Sequence, residues 1–177
     1  EKNSRSSGYR VTVDAFDVIG GLREPPAISY CDQSDSPLSF AGTWLESTNS
    51  SAFGGSFYYA DSLGASMVVE FEGTALHWLA KTSPAYGQAL VSLDGGAPSV
   101  VDLYSPVALY QQCVYSTGSL DRGVHTLEIE WAGTKNPASS DCLVNIDLLS
   151  VFGSVQDIVP ADLTPERLPF VLVGEDK

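Results

Sequence analysis

Short runs that alternate apolar with polar residues or are rich in β-branched residues recur along this chain, and turn residues separate them at short intervals. In Val124–Trp131, the residues Val124, Thr126, Glu128 and Glu130 fall on one side; His125, Leu127, Ile129 and Trp131 fall on the other. A period of two belongs to a β-strand and cannot build the apolar stripe of a helix. The second set therefore faces a core, which makes His125 a half-buried, structural histidine. The same texture predicts strands at Tyr9–Ile19, Ser56–Ala60, Ser66–Phe71, Ala75–Ala80, Gln88–Leu93, Ser99–Leu103, Gln111–Tyr115 and Leu143–Phe152. Gly54-Gly55, Glu72-Gly73, Asp94-Gly95-Gly96, Asp121-Arg122-Gly123 and Gly133 punctuate them as turns. Asp94-Gly95 is the strongest hairpin signal, because a left-handed backbone suits a short connection between twisted strands. Helix-forming runs are few, and 16 Gly with 10 Pro interrupt them. The expectation is an all-β, antiparallel β-sandwich.

A second feature bears on domain organisation. Residues 2–20 (KNSRSSGYRVTVDAFDVIG) align without gaps onto residues 135–153 (KNPASSDCLVNIDLLSVFG), with eight of nineteen positions identical. The identities are Lys2/Lys135, Asn3/Asn136, Ser6/Ser139, Ser7/Ser140, Val11/Val144, Asp14/Asp147, Val18/Val151 and Gly20/Gly153. Chance likeness between strands would match apolar positions, but not the Lys-Asn and Ser-Ser pairs ahead of them. The pattern reads as an internal repeat, the alternative being two similar strands within one domain. Residues 1–20 would be the terminal strand of a preceding repeat, 21–153 one whole copy, and 154–177 a linker and C-terminal extension. A severed strand must pair somewhere, so Tyr9–Ile19 is expected to add to a sheet edge or swap onto a neighbouring molecule.

Charge narrows the partners. With 9 Lys+Arg against 22 Asp+Glu, the 177 residues carry −13. That argues against nucleic acid and anionic membrane surfaces, both of which need clustered positive charge. No apolar run has the length of a membrane helix, and no secretory leader is seen. The chain opens on Glu1, so the expectation is a processed product or an excised piece. Cys31, Cys113 and Cys142 lack C-x-x-C spacing, which argues against structural zinc. They read as small buried side chains, or as one cross-strand pair with a thiol left over.

Two sets of residues have ligand chemistry. A sugar offers a C–H face that stacks on aromatic rings and hydroxyls that amides and charged groups hydrogen-bond. Lys81-Thr82-Ser83-Pro84-Ala85-Tyr86-Gly87 reads as a Pro/Gly loop, and loops at the end of a sandwich collect binding residues. The expected site is Lys81, Tyr86, Tyr110 and Gln112, with Trp44 as a further stacking candidate. The second set is Asp32 and Asp35 near one end and Asp147, with Asn145, on the last strand. They could meet where the first and last strands lie side by side, and their oxygens would suit a structural Ca2+. Asp32 and Asp35 also suit turn hydrogen bonds. No G-x-S-x-G, H-E-x-x-H, Walker or G-x-G-x-x-G motif is present, so the chain is expected not to be an enzyme.

An ordered series of motifs carries a family resemblance across about residues 28–153. It runs Tyr30-Cys31-Asp32-Gln33-Ser34-Asp35, Ser39-Phe40-Ala41-Gly42-Thr43-Trp44, Phe53-Gly54-Gly55-Ser56 and Glu70-Phe71-Glu72-Gly73-Thr74. It continues with Val91-Ser92-Leu93-Asp94-Gly95, His125-Thr126-Leu127 and Val144-Asn145-Ile146-Asp147. In this order the motifs resemble the jelly-roll, galactose-binding-like (carbohydrate-binding-module-like) repeats of secreted bacterial surface proteins and glycoside hydrolases. The resemblance implies a non-catalytic carbohydrate-binding or adhesion module, extracellular or on the cell surface, taking a neutral glycan and flanked by neighbouring repeats. The alternative is a structural spacer that associates through strand addition.

Overall fold

A computed structural model describes residues 27–156, and it is built from strands. They are β1 Ile28–Asp32, β2 Leu38–Ala41, β3 Leu45–Thr48, β4 Ser56–Ala60, β5 Ser66–Thr82, β6 Gln88–Leu93, β7 Ser99–Asp102, β8 Leu109–Ser116, β9 Gly123–Trp131, β10 Val144–Ile146 and β11 Leu148–Gln156. All the strand pairs are antiparallel. The larger sheet runs β1-β11-β5-β9-β6-β7, with β2 and β8 also paired to β5, and the smaller runs β10-β4-β3. The two layers form a jelly-roll sandwich. The expected pairing of Tyr9–Ile19 and the extension from residue 157 onward lie outside the described residues. Within them, β11 continues past Gly153 to Gln156.

Several strands lie where the sequence predicts them: β4 and β6 have the expected bounds, and on β9 alternation correctly buries Leu127 and Ile129. Elsewhere the structure corrects the reading. Ser66–Phe71 and Ala75–Ala80 are one strand, β5, because Glu72-Gly73 is not a turn. Before it Met67, Val69 and Phe71 point inward; after it Leu76, Trp78 and Ala80 do, a change of phase by one residue. At this slip β5 crosses β11 at Gly153. A Cβ on Gly73 would lie 2.5 Å from the Phe152 carbonyl oxygen, and one on Gly153 would collide with the Glu72 carbonyl. The glycines are there for close approach of two backbones.

The expected strand Leu143–Phe152 is broken at Asp147. Its first part, β10, joins the smaller sheet through β4; its second, β11, lies between β1 and β5 in the larger. Crossing the middle of the sandwich, 144–151 is buried at every position. All three cysteines are free, and Cys31 alone is buried; Cys113 is exposed and Cys142 intermediate. Burial, and Asp35 close by, push the Cys31 thiol up to about 12.

His125 has a definite structural job. Its Nδ1 lies 2.8 Å from Asp94 Oδ2 and its Nε2 2.9 Å from the Asp121 carbonyl oxygen. Both partners are acceptors, an arrangement that favours the imidazolium, in which both nitrogens donate. Asp94, in the β6–β7 hairpin, also accepts the Thr126 amide at 2.8 Å. The hydrogen bond to Asp94 raises the His125 pKa, and the same bond lowers that of Asp94. The histidine's contribution is therefore complete below pH ~6.5 and lost as pH rises through its raised value, while the aspartate's is lost on acidification. Asp94 is half-exposed, which limits the pair to under about 1 kcal/mol. His125→Gln should lower the melting temperature by a few degrees at pH 5.5 and leave it unchanged at pH 9; an equal loss at both would rule out the imidazolium.

Candidate functional site

At the end of β5 the ladder to β8 slips. Ala80 pairs Gln112 and Thr82 pairs Leu109, so Tyr110 and Gln111 stand opposite the single residue Lys81. This is a β-bulge, and Gln111 takes its positive φ of 51°. The bulge leaves the Lys81 backbone without strand partners on β8. They come from the opposite sheet: the Lys81 N–H donates to Asn145 Oδ1 at 2.8 Å, and Asn145 Nδ2 donates to the Lys81 carbonyl at 2.7 Å. Asn145 is 0% exposed on β10, so one buried amide ties the two layers together at this point.

The clamp fixes the lysine among aromatic rings. Lys81 Nζ lies 5.0 Å from the ring centre of Tyr110, 5.4 Å from Phe57 and 5.6 Å from Tyr86, within cation–π range of all three. It has no ion-pair or hydrogen-bond partner at Nζ among the described residues. Phe57 meets Tyr110 edge-on at 6.4 Å. Gln112 Nε2 donates to the Tyr110 carbonyl at 2.7 Å, and Gln111 Nε2 to Ser51 at 3.0 Å, which hold the bulge in place.

Four of the expected residues, Lys81, Tyr86, Tyr110 and Gln112, thus share one place, but not with the exposure expected of Tyr86. It is only 3% exposed. Its segment is no free loop: Tyr86 bridges Leu143, the Gly87 N–H donates to the Leu143 carbonyl at 2.8 Å, and Ser139 Oγ lies 2.6 Å from the Tyr86 carbonyl. Burial raises the Tyr86 pKa. Tyr86 and Phe57 are therefore the floor of the cluster, and Lys81 with Tyr110 its accessible rim. Trp44 is elsewhere, against Phe40 at 5.2 Å, with its Nε1 donating to the Ala41 carbonyl.

The carboxylates are also rearranged relative to expectation. β1 does lie beside β11, with Asp32 opposite Leu148, and this brings Asp32 near Asp147. Asp35 instead accepts the Asp32 N–H at 2.8 Å, closing the turn after β1. Asn145 turns to Lys81. Among the described residues no three His, Cys, Asp or Glu side chains converge as a metal-binding group, so the set Asp32, Asp35, Asp147 does not form as such. What remains is a group of orphaned oxygens around the 3-10 turn Phe53–Gly55. Asp147, 0% exposed, accepts the Phe53 N–H at 2.9 Å with Oδ1, while its Oδ2 has no partner. Asp32 Oδ1 and Gln33 Oε1, also buried, have none either. A Cβ on Gly54 would collide with Asp32 Oδ2, and Gln33 Nε2 donates to Ser56 Oγ at 3.0 Å. Burial, with Asp32 nearby, pushes the Asp147 carboxyl up to about 6, and burial raises Asp32 too.

Sequence reading missed one exposed aromatic. Tyr30 on edge strand β1 is 60% exposed, is stacked at 6.3 Å on Phe53, and borders a groove of about 290 Å3 with Cys31 and Asp35. Its place on an edge strand, not in a Gly/Pro segment, gave no cue.

Solved structures share this architecture. A family two carbohydrate esterase from Cellvibrio japonicus superposes with a TM-score of 0.51 at 18% identity, over 73% of this chain and 34% of that one. In fold, the chain is a jelly roll. In sequence it is 33% identical over 112 residues to an A type blood N-acetyl-alpha-D-galactosamine deacetylase from Flavonifractor plautii, covering 63% of this chain and 14% of that protein. It is 30% identical over 131 residues to an A type blood alpha-D-galactosamine galactosaminidase from the same organism, covering 72% of this chain and 12% of that protein. The chain thus spans about an eighth of the length of these curated relatives. No protein-family model matches it. Among the described residues no helix is long and apolar enough to cross a membrane.

Proposed function

We propose that this jelly roll is a non-catalytic glycan-binding module of a larger, extracellular carbohydrate-active protein. The observation that carries the reading is the pairing of high coverage here with low coverage there. Up to 72% of this chain matches two glycan-acting enzymes of which it makes only 12–14%, the relation of an accessory domain to its parent. The ligand lies on the rim formed by Lys81 and Tyr110, with Gln112 securing the bulge: the tyrosine face takes a sugar C–H face and the ammonium a ring hydroxyl. With −13 on the chain, neutral glycans are favoured over acidic ones.

The test is a glycan array holding neutral galactose-, N-acetylgalactosamine- and mannose-containing oligosaccharides, with titration of the hits. Lys81→Ala and Tyr110→Ala should each weaken binding about tenfold or more, the worth of one lost stacking or hydrogen-bonding contact. Tyr30→Ala should leave it intact. Loss through Tyr30→Ala alone would move the site to the β1 groove. A second reading, a structural spacer without a ligand, is favoured by the burial of Tyr86, and a silent array would select it.

The same chain holds a second proposed site. Asp32, Asp147 and the Gln33 amide oxygen would hold a calcium ion against the Phe53–Gly55 turn, where an oxygen-seeking cation would satisfy three orphaned acceptors together. Its role there would be to stabilise the sandwich.

A further inference from the structure

Six of the eight positions at which residues 2–20 match residues 135–153 are positions the fold constrains. Ser139 is buried, and its hydroxyl lies within 2.9 Å of the carbonyls of Pro84, Tyr86 and Asp141. Asn136 orders its turn through the Ala138 N–H and reaches Asp102. Val144 and Val151 are fully enclosed, Asp147 takes the Phe53 amide, and Gly153 has no room for a Cβ beside Glu72. Ser6, Asn3, Val11, Val18, Asp14 and Gly20 reproduce these six residues in the same order and spacing.

A generic strand needs only alternating apolar residues. A buried aspartate, a buried serine and a sterically obligatory glycine make sense only beside a Phe53-like amide, a Pro84–Tyr86-like segment and a Glu72-Gly73-like crossing. Within residues 27–156 each of those partners occurs once and is already engaged by 135–153. The motifs Phe53-Gly54-Gly55, Pro84-Ala85-Tyr86 and Glu72-Gly73 do not recur in the sequence of residues 154–177. We infer that residues 2–20 are the closing segment of another copy of this jelly roll upstream in the same polypeptide, so that the module occurs in tandem.

The inference is tested by transplanting the segment. In the full chain, residues 135–153 are replaced by the sequence of residues 2–20, and thermal unfolding is followed by β-sheet circular dichroism. Because Thr12 takes the place of Asn145, the reference is the Asn145→Thr chain. The transplanted chain should unfold cooperatively within about 10 °C of that reference. A scramble of the same nineteen residues in the same place should show no cooperative transition. Asp14→Ala or Gly20→Ala within the transplanted segment should lower its melting temperature as Asp147→Ala and Gly153→Ala lower that of the parent. The inference is overturned if the transplanted chain is as unfolded as the scramble, or if the scramble folds equally well.

Discussion

Asn145→Ala should destabilise the fold by about 3 kcal/mol and abolish any glycan binding at the Lys81 rim. The asparagine is fully buried, and both of its polar ends are spent on Lys81, at 2.8 and 2.7 Å. Truncation leaves a buried N–H and a buried carbonyl without partners, each costing about 1–2 kcal/mol. No strand can replace the amide, because β8 is bulged away at this residue. The loss corresponds to a drop of about 10 °C in melting temperature for a domain of this size. Asn145→Asp retains an acceptor for the Lys81 N–H but buries an ionisable carboxyl and sets an oxygen against the Lys81 carbonyl, so at pH 7.5 it should destabilise at least as much as Asn145→Ala. If Asn145→Ala melts within 2 °C of the parent, the clamp is not what joins the layers here.

The clamp also marks where sequence reading stops. β4 and β6 were legible because each is a short, largely aromatic or aliphatic run bounded by turn residues. β1, β2 and β3 were not, since Cys31-Asp32-Gln33-Ser34-Asp35 and Gly42-Thr43-Trp44 surround them with loop-forming residues. Glu72-Gly73 has the composition of a turn, yet its glycine is required by a backbone far along the chain. Lys81, Tyr86, Tyr110 and Gln112 could be named as ligand-type residues. That Tyr86 is buried follows from Ser139 and Leu143, more than fifty residues later, and no local pattern encodes that contact. Asn145 stands in a strand of otherwise apolar neighbours. Its type signals a buried polar role, but its partner is set by the bulge at Tyr110–Gln111.

Stability in the absence of divalent cations should rise, not fall, as the pH is lowered from 7.5 to 4.5. Most acidic side chains in a folded protein lie at or below their ordinary pKa and cost stability on protonation. Asp147 does the reverse. Its carboxyl is pushed up to about 6 from an ordinary value near 3.8, by burial first and by Asp32 second. The folded state thus holds on to a proton that the unfolded chain releases. The ionised form is penalised above pH 6, and the penalty is relieved as pH falls toward about 4, by roughly 2–3 kcal/mol from this group. Asp32, raised in the same direction, adds to it. Calcium should act on the same charges: 5 mM CaCl2 at pH 7.5 should raise the melting temperature by several degrees through binding to the folded state alone. At pH 4.5, where Asp147 is protonated, it should do little. Asp147→Asn should make the metal-free protein more stable at pH 7.5, leave it nearly unchanged at pH 4.5, and remove the calcium response. Melting curves at the two pH values, with calcium and with EDTA, read all of this. A calcium response that survives Asp147→Asn would place the ion elsewhere, and a metal-free protein that loses stability steadily on acidification would show that the Asp147 carboxyl is paid no burial penalty at all.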